Sequence, residues 1–442
     1  MHTIIHGDCL EELKKLDDNS VDAVITDPPY GLSNTKPTQV ADVLAAWVTG
    51  DTVSVPAKRG GFMGKDWDSF VPPPAVWEEC MRVLKPGGHM AVFAGARTQD
   101  LMGLSIRLAG FEIRDTLGWI YGSGFPKSMD VSKAIDKAAG VEREVVGRTK
   151  TPFKVDAAAH RGTSLQGSVN GDFSKQVDEN GYRYTEHTAP ATSEAQRWDG
   201  WGTALKPAIE PIILARKPLD GTVASNVLAH GVGGLNIDAC RVPATDKAKF
   251  PSGVVSSTEA VYGGGGGMYA DRPRPDDKNP AGRFPANVLL DEHAAKEMDK
   301  QSGITKSTGG NATHDRAPAY GGGWDNPGGN VGGLGDTGGA SRFFPVFKYQ
   351  AKAPKRERPV IEHEDGTKIQ HPTVKPLALL EWLVTLITPE GGLILDPFAG
   401  TGTTLQAATN KGFNPIGIEA DADYIQLIHK RMEGGEQSTR SN

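Results

Sequence analysis

Short apolar runs alternate with amphipathic helical segments at both ends of this 442-residue chain. Residues 21–26 (VDAVIT) form the clearest run, and the two prolines that follow must end a strand there. This alternation is typical of an α/β fold with a largely parallel sheet. It predicts strands over 3–6, 21–26, 89–94, 112–121, 392–395 and 415–418, and helices over 10–16, 75–84, 99–109, 377–387, 403–411 and 424–432.

The middle of the chain has a different composition. From about residue 141 to 347 it is rich in Gly, Ser, Asn and Pro, and residues 263–267 are five consecutive glycines. Such a composition disfavours a dense core and indicates long loops. Apolar patterns persist only in islands at 209–215, 226–228 and 284–290. We therefore expect the two ends to form one sheet, with the middle inserted as a second, loop-rich domain.

Charge and cysteine content bear on partners and location. The formal net charge is -6, so nucleic-acid binding would need a local basic region. Basic residues at 342–358 offer one, although a solvated charged surface explains them equally well. The three cysteines share no CxxC spacing, so neither a disulfide framework nor a metal site is expected. The N-terminus lacks a signal-peptide core, and no apolar run approaches membrane-spanning length, so a cytoplasmic location is expected.

Residues 396–404 (DPFAGTGTT) lie between a predicted strand and a predicted helix. The glycines let the backbone turn tightly and approach a ligand closely, and Glu419 at the end of the next strand suits the two hydroxyls of a ribose. A dinucleotide-binding loop would have a third glycine where this chain has Leu405. The motif therefore favours nucleoside binding without a pyrophosphate, with a plain strand-to-helix turn as the structural alternative.

Residues 27–30 (DPPY) follow a buried strand, where α/β proteins place functional groups. An exocyclic base amine is a poor nucleophile because its lone pair is delocalised into the ring. The Asp27 carboxylate and the Pro28 carbonyl can both accept N–H bonds from such an amine and favour a pyramidal nitrogen. Pro28 and Pro29 hold these acceptors rigid, and Tyr30 offers a face on which a base can stack. An ordinary proline-rich turn is the alternative.

Together the two motifs resemble those of the amino-methyltransferases of DNA. The catalytic loop comes first and the glycine loop last, an order similar to the beta class, and the resemblance covers about 1–140 and 345–432. Residues 6–9 (HGDC), 371–376 (HPTVKP) and 119–127 (WIYGSGFPK) resemble further family segments. Residues 62–68 (FMGKDWD) look like a loop near the active site of phage and prophage members.

The resemblance implies a role for each matching residue. The catalytic set is Asp27, Pro28, Pro29 and Tyr30. Asp8 would contact the cofactor adenine, and Thr373 and Lys375 would be ligand contacts. Trp119 and Phe125 are equally core aromatics or base contacts. The full set of expected cofactor contacts is Asp8, Cys9, Asp27, His371, Thr373, Lys375, Asp396, Phe398, Gly400, Gly402, Thr403, Thr404, Glu419 and Asp421.

The implied fold is a circularly permuted, Rossmann-like S-adenosylmethionine-dependent methyltransferase. Its catalytic domain would comprise 1–140 and 346–442, with 141–345 as the target-recognition domain. The implied partner is double-stranded DNA whose target base is flipped out, and residues 31–70 are a candidate lid over that base. Family habit adds a homodimer and a bacterial or phage origin. Within the middle region, Trp198, Trp201 and Lys206 would contact DNA or form a satellite core, which is slightly favoured.

Several reactions remain open. Methylation of a ring carbon uses a cysteine nucleophile in a Pro-Cys pair, and no Pro-Cys occurs here. Within the family, Asp at the first loop position favours adenine N6 over cytosine N4. Methylation of RNA or of a protein glutamine uses related loops, but the permuted order and large insert argue against it. A catalytically silent DNA-binding protein on the same fold is the other alternative. The presence of Asp27, Gly400 and Gly402 argues against it.

Overall fold

The structure is a computed structural model. It describes residues 2–33, 35–56, 68–122, 124, 128–154, 182–243, 282–306, 336–347, 358–362, 368–371 and 373–439.

Strands occur along the whole described chain, and they are numbered here in chain order. They are β1 (Thr3–His6), β2 (Val21–Thr26), β3 (Leu84–Phe93), β4 (Glu112–Ile120), β5 (Val145–Lys154), β6 (Tyr182–Thr188), β7 (Ile209–Arg216), β8 (Val288–Asp291), β9 (Thr305–Lys306), β10 (Thr337–Gly338), β11 (Val346–Phe347), β12 (Ile361–Glu362), β13 (Lys368–Ile369), β14 (Leu393–Asp396) and β15 (Asn414–Glu419).

Helices follow most of the longer strands. They are α1 (Cys9–Leu13), α2 (Pro37–Val48), α3 (Pro74–Val83), α4 (Gln99–Leu108), α5 (Val131–Ala138), α6 (Ser193–Arg197), α7 (Val223–His230), α8 (Glu292–Ser302), α9 (Leu377–Ile387), α10 (Thr403–Asn410) and α11 (Ala422–Thr439). Short 3₁₀ turns cover Asp238–Cys240 and Ala340–Phe343. No helix in these described ranges is long and apolar enough to cross a membrane.

Both ends of the chain build one main sheet, as the sequence predicts. Its strand order among the described residues is β1-β15-β14-β2-β3-β7-β4-β8-β11. Neighbouring strands run parallel, except that β7 runs antiparallel to β3 and β4. The predicted α/β, Rossmann-like fold class is therefore confirmed, with one strand reversed in a largely parallel sheet.

Helices cover both faces of this sheet. Successive residues of β3 alternate between two cores, since Met90 and Val92 pack in one and Ala91 and Phe93 in the other. The first core also holds side chains of α1 to α4, and the second holds those of α9 and α10. Because both faces are covered, β2 is buried along its whole length, which explains why its sequence is almost continuously apolar.

The middle of the chain contributes to the main sheet, which corrects the expectation of a separate insert. Strand β7, in the apolar island 209–215, is inserted between β3 and β4, and β8 and β11 extend the sheet beyond β4. The boundary drawn at 141–345 therefore does not follow the strand pairing. Apolar patterning marked the island 209–215, but such a pattern carries no information on which strands it pairs with or in which direction.

Helix α2 is a second correction, because no helix was predicted within the candidate lid of residues 31–70. Val43 and Trp47, four residues apart, are buried on one face of the helix. The Trp47 ring packs against Phe70 with centroids 5.9 Å apart. Pro37 occupies the first helical turn, where its missing N–H costs no hydrogen bond. The residues between Val43 and Trp47 are apolar as well, so the sequence showed no clear alternation of buried and exposed faces.

The chain leaves the main sheet after β4, forms a small separate unit and rejoins the sheet at β7. It contains α5, the β5–β6 hairpin and α6. Its centre is the buried Asp136 carboxylate, which pairs with Arg143 at 2.8 Å and accepts backbone N–H bonds from Ala191 and Thr192, both at 3.0 Å. This network gives the unit a rigid base beside the main sheet.

Candidate active site

The carboxyl ends of the parallel strands lie along one edge of the sheet. Thr26 ends β2, Asp396 ends β14 and Glu419 ends β15, where it pairs in register with His6 of β1. Because β7 runs in the opposite direction, its first residues reach the same edge and bring Glu210 there. This edge, referred to below as the carboxyl edge, therefore gathers most of the residues singled out from the sequence.

The loop 27–30 is fixed at the carboxyl edge by two side chains. One oxygen of the buried Asp68 carboxylate accepts the backbone N–H groups of Tyr30 at 2.7 Å and Gly31 at 3.0 Å. The Thr98 hydroxyl donates to the Tyr30 carbonyl at 2.6 Å. Gly31 has φ +67°, and a Cβ there would lie 2.8 Å from the Val71 nitrogen, so a side chain would not fit.

The buried ammonium of Lys375 connects Asp27 with Glu210, a residue that no sequence motif marked. Lys375 Nζ lies 3.0 Å from Asp27 Oδ2 and 3.1 Å from Glu210 Oε2. It also donates to Tyr30 Oη at 2.9 Å, and that phenol in turn donates to Asp27 Oδ1 at 2.8 Å. Both oxygens of the Asp27 carboxylate are therefore engaged.

The electrostatics of this cluster keep both proton donors protonated. Burial lowers the pKa of Lys375, but the carboxylates of Asp27 and Glu210 outweigh it and raise that pKa above its ordinary value. Burial, and then the Asp27 carboxylate, hold the pKa of Tyr30 well above its ordinary value. Near neutral pH the cluster therefore contains an ammonium and a neutral phenol.

The glycine loop is organised by Asp396 and Glu419. Asp396 Oδ1 accepts the Thr26 hydroxyl at 2.7 Å and the Phe398 N–H at 3.1 Å. Glu419 Oε2 accepts the Gly400 N–H at 2.8 Å, and its other oxygen accepts the Asp421 N–H at 2.9 Å. The two acids thus bind both sides of the loop and fix its shape.

Gly400 and Gly402 adopt backbone conformations that favour glycine. Their φ angles are +54° and +74°. A Cβ on Gly402 would lie 2.9 Å from the Ile428 side chain, whereas one on Gly400 would come no nearer than 3.7 Å to His371. Thr403 and Thr404 begin α10 and are buried. The Thr404 hydroxyl bonds to Asp396, so its observed role is structural.

Burial alters the protonation of both acids of the loop. It raises the pKa of Asp396 to about 6, although hydrogen bonds from Thr26, Thr404 and Phe398 oppose the shift. It raises the pKa of Glu419 to about 7, against hydrogen bonds from the Asp421 and Gly400 backbone. Glu419 is therefore a carboxyl group that titrates close to neutral pH.

Asp8 and Cys9 lie at the amino end of α1, next to Glu419. Asp8 caps the helix, with Oδ1 accepting the Leu10 N–H at 3.0 Å and the Glu11 N–H at 3.3 Å. Burial, and then the Asp8 carboxylate, raise the pKa of Cys9 to about 12, so the group remains a thiol. The side-chain oxygen of Asp8 thus already has backbone partners.

The segment 371–376 crosses the carboxyl edge before α9. The His371 ring packs on Tyr424 with centroids 4.7 Å apart, and burial lowers its pKa below the ordinary value. The Thr373 N–H donates to His371 Nδ1 at 3.3 Å. Lys375, predicted as a ligand contact, binds the Asp27 carboxylate in this structure. Pro372 lies outside the described residues.

The tryptophans named in the sequence analysis are of two kinds, buried and exposed. Trp119 is fully buried and packs on Phe347 with centroids 5.9 Å apart, so it is a core residue. Trp198 and Trp201 form an edge-to-face pair with 40% and 60% of their surface exposed, which corrects the favoured expectation of a satellite core. The Lys206 ammonium donates to the Gly122 carbonyl. Phe125 and the basic residues 348–357 lie outside the described residues.

Sequence reasoning missed Glu210, Thr98 and the role of Thr26. Asp68 had been included only through the resemblance of segment 62–68, of which residues 62–67 lie outside the described part. Glu210 precedes a proline at the start of an apolar run, a pattern that marks a strand start but gives no sign of chemistry. No three or more His, Cys, Asp or Glu side chains within the described ranges are arranged to hold a metal ion.

A family model named N6_N4_Mtase and described as DNA methylase matches residues 21–150 and 182–430. The chain belongs to the DNA methylase family. The match contains the Asp27 loop, Glu210, Lys375 and the glycine loop, and it begins after Asp8. In this DNA methylase the residues of both motifs therefore lie in the part that defines the family.

Two curated relatives have different kinds of similarity to this DNA methylase. Type II methyltransferase M2.DpnII of Streptococcus pneumoniae is 47% identical over 64 residues, which cover 14% of this chain and only 24% of that protein. Type II methyltransferase M.HindIII of Haemophilus influenzae is 24% identical over 450 residues, which cover 97% of this chain and 94% of that protein. The first similarity is local and the second extends over nearly the whole length.

Among solved structures, the PvuII DNA methyltransferase described as cytosine-N4-specific covers 98% of this chain and 91% of its own. It is 12% identical with a TM-score of 0.40. At this score the likeness adds nothing to the fold described above.

Proposed function

We propose that this DNA methylase transfers the methyl group of S-adenosylmethionine to the N6 amine of adenine at a specific sequence in duplex DNA. The supporting observation is the Asp27 loop, which is fixed at the same edge of the sheet as the glycine loop of Asp396. An acceptor for a base amine and a turn suited to a nucleoside thus lie side by side. Family membership is independent support for DNA as the substrate.

The charges at the carboxyl edge suit the proposed methyl donor. S-adenosylmethionine carries a sulfonium that supplies the methyl group, an ammonium and a ribose with two free hydroxyls. Asp396 and Glu419 bind the backbone of the glycine loop, and Asp421 lies next to Glu419. The partly exposed Glu419 would accept the ribose hydroxyls, while Asp8 lies beside it at the start of α1.

Asp27 would make the amine reactive by accepting one of its N–H groups, with the Pro28 carbonyl accepting the other. The nitrogen lone pair then forms the new N–C bond, while the electron pair of the breaking S–C bond remains on sulfur. One amine proton leaves to Asp27 or to solvent, which restores a neutral methylated amine. Because the acceptors are fixed before the base arrives, little reorganisation accompanies the reaction.

The choice of adenine over cytosine rests on Asp27 itself, because the cytosine enzymes of this family commonly have Ser there. A base in duplex DNA must leave the stack to reach this carboxylate, so we include base flipping in the proposal. Tyr30 would stack on the flipped base, and residues 31–70 would cover it. The described part of that segment includes α2, which packs on the core and would anchor such a lid.

We assign target recognition to the middle region, within the part of 141–345 that lies outside the main sheet. We also propose a homodimer that acts in the bacterial cytoplasm, where chromosomal and phage DNA are found. Sedimentation velocity with and without DNA would test the dimer. A monomer under both conditions would contradict it.

The function is tested by supplying methyl-tritiated S-adenosylmethionine with duplex DNA, RNA or a protein extract as acceptor. We expect label in DNA alone, and nucleoside analysis should identify N6-methyladenine. Label in RNA or protein would contradict the DNA assignment. N4-methylcytosine would support the family assignment but overturn the choice of base.

A further inference from the structure

Lys375 is shared between two carboxylates from different parts of the chain. Its Nζ lies 3.0 Å from Asp27 Oδ2 and 3.1 Å from Glu210 Oε2, nearly equal distances. Asp27 belongs to the proposed catalytic loop, whereas Glu210 belongs to β7. A second carboxylate therefore stands beside the proposed catalytic one.

The ammonium has little freedom to leave the cluster. The Lys375 side chain is only 10% exposed, and Nζ lies 5.1 Å from the centre of the Tyr30 ring and 5.0 Å from that of Phe93. Among the neighbouring titratable groups, Tyr30 and Tyr121 are phenols, and His371 lies close enough to Asp27 and Lys375 for both charges to affect its pKa. A buried cation that loses both carboxylate partners would be strongly destabilised.

Glu210 lies on a backbone segment that is paired in the sheet, whereas Lys375 does not. It lies in β7, pairs in register with Trp119 of β4 and precedes Pro211, whose carbonyl accepts the Ala94 N–H at 2.9 Å. Lys375, in contrast, lies in the non-helical segment before α9. The sheet thus holds the backbone of Glu210 in place, and Lys375, on a non-helical segment, is the residue whose ammonium can shift.

This arrangement bears on the reaction because Asp27 is not free. Its Oδ2 is paired with Lys375 and its Oδ1 accepts the Tyr30 phenol. A target amine must displace one of these donors before it can bond to the carboxylate. If Asp27 were the sole carboxylate partner of Lys375, the incoming neutral amine would have to compete with a full positive charge.

We infer that Glu210 is a positioning residue that holds the Lys375 ammonium when the target amine displaces it from Asp27. This inference rests on the proposed function and adds a specific requirement to it. Asp27 accepts the amine, Lys375 moves towards Glu210, and the buried ammonium is never without a carboxylate. Without Glu210, Lys375 would remain on Asp27 and inhibit the enzyme.

The kinetic test compares wild type, Glu210→Gln and the double variant Glu210→Gln/Lys375→Met in single-turnover methyl transfer at saturating S-adenosylmethionine. We expect Glu210→Gln to lower the rate roughly tenfold or more, with unchanged affinity for the methyl donor. The double variant should be faster than Glu210→Gln, because the inhibiting ammonium is gone. A role of Glu210 in folding alone would give no such rescue.

Glu112→Gln is the matched control. Glu112 pairs with Arg216 of β7 at 2.7 Å, at the end of the strand away from the carboxyl edge. This substitution removes a carboxylate that contacts β7, the strand of Glu210, at the end away from Asp27, so we expect a wild-type rate. A wild-type rate in Glu210→Gln, or no gain on adding Lys375→Met, would overturn the inference.

A stability measurement separates this inference from the proposed function. Asp27→Asn and Glu210→Gln each leave Lys375 one carboxylate, whereas the double variant Asp27→Asn/Glu210→Gln leaves it none. We therefore expect the double variant to shift the denaturant midpoint by more than the sum of the single shifts. Additive shifts would overturn the sharing of the ammonium. A wild-type protein without methyl transfer to DNA would overturn the proposed function instead.

Discussion

The proposed catalytic carboxylate, that of Asp27, contacts both a cation and a phenol. Asp27 lies 3.0 Å from the Lys375 ammonium and accepts the Tyr30 hydroxyl at 2.8 Å. Its oxygens are thereby aimed before any ligand binds, because both donors belong to the same buried cluster. A rigid acceptor of this kind stabilises a developing positive charge on an amine better than mobile water does.

At the residue scale, Glu419 gives a pH-dependent prediction. Burial raises its pKa to about 7, and the ribose hydroxyls of the proposed methyl donor would donate best to the ionised form. The affinity for S-adenosylmethionine should therefore rise between about pH 6 and about pH 8, by up to roughly tenfold per pH unit below the pKa. Isothermal titration calorimetry across this range measures it.

Glu419→Gln is the control for this dependence, since an amide does not titrate. We expect weaker binding that no longer changes with pH over the same range. The raised pKa also makes the stability of the ligand-free protein depend on pH. The contribution of Glu419 to the free energy of unfolding is present below pH 4.5 and is lost as the pH rises through about 7. Affinity that fell with rising pH would contradict the assignment of Glu419.

Individual site residues could be predicted where the backbone requires a particular residue type. Gly400, Gly402 and the two prolines mark their own turns, and strand ends follow from the apolar runs before them. The partner of each side chain could not be predicted in this way. Glu210 and Lys375 are 165 positions apart, and their meeting depends on the reversed direction of β7, which apolar patterning does not encode.

At the scale of elements, the Asp27 loop depends on Asp68 for its shape. Asp68→Ala would leave the backbone N–H groups of Tyr30 and Gly31 without this acceptor, and each unsatisfied group costs about 1–3 kcal/mol. We expect lower stability in chemical denaturation and a larger loss in methyl transfer. Asp18→Ala, which removes an exposed carboxylate paired with Arg82, should leave both nearly unchanged.

The start of α10 gives a second prediction for an element. Gly402 has φ +74° and no room for a Cβ beside Ile428, whereas Gly412 has φ +80° with nothing within 4 Å. Gly412→Ala should cost about 1–2 kcal/mol through backbone strain alone, and Gly402→Ala should add about 1–3 kcal/mol from the clash. Equal unfolding free energies for the two variants would contradict the packing of α10 on α11.

Elements with regular patterns were predicted well, and elements anchored by few residues were not. The predicted 377–387 segment coincides with α9, because a run of leucines faces the second core. Helix α2 was missed because its buried face consists mainly of Val43 and Trp47. In such a short amphipathic segment the packing partner, here Phe70, decides the structure rather than the periodicity.

At the scale of the whole molecule, the unit between β4 and β7 begins and ends at the carboxyl edge. Its exposed Trp198–Trp201 pair is therefore close in the chain to Glu210 and offers aromatic faces to a partner. Replacing both by Ala should weaken DNA binding roughly tenfold, as expected when aromatic contacts to bases are lost. The affinity for S-adenosylmethionine should not change.

Fluorescence anisotropy with a labelled duplex measures this effect. Leu228→Ala is the control, because Leu228 is 88% exposed on α7 and follows β7 at the opposite edge of the sheet. Wild-type DNA affinity in the double tryptophan variant would show that the pair has another role. The domain boundary itself could not be predicted, because a loop-rich segment can also supply strands such as β7 and β8 to a sheet.

The central claim is that the Asp27 carboxylate makes a DNA amine reactive. Its most direct test is modified-base sequencing of the genome of a host that expresses the wild type or Asp27→Ala, with calorimetry of S-adenosylmethionine binding on both proteins. We expect N6-methyladenine at one recognition sequence with the wild type, none with Asp27→Ala, and largely retained donor binding in the variant. Methylation of the same sites by Asp27→Ala would contradict the claim.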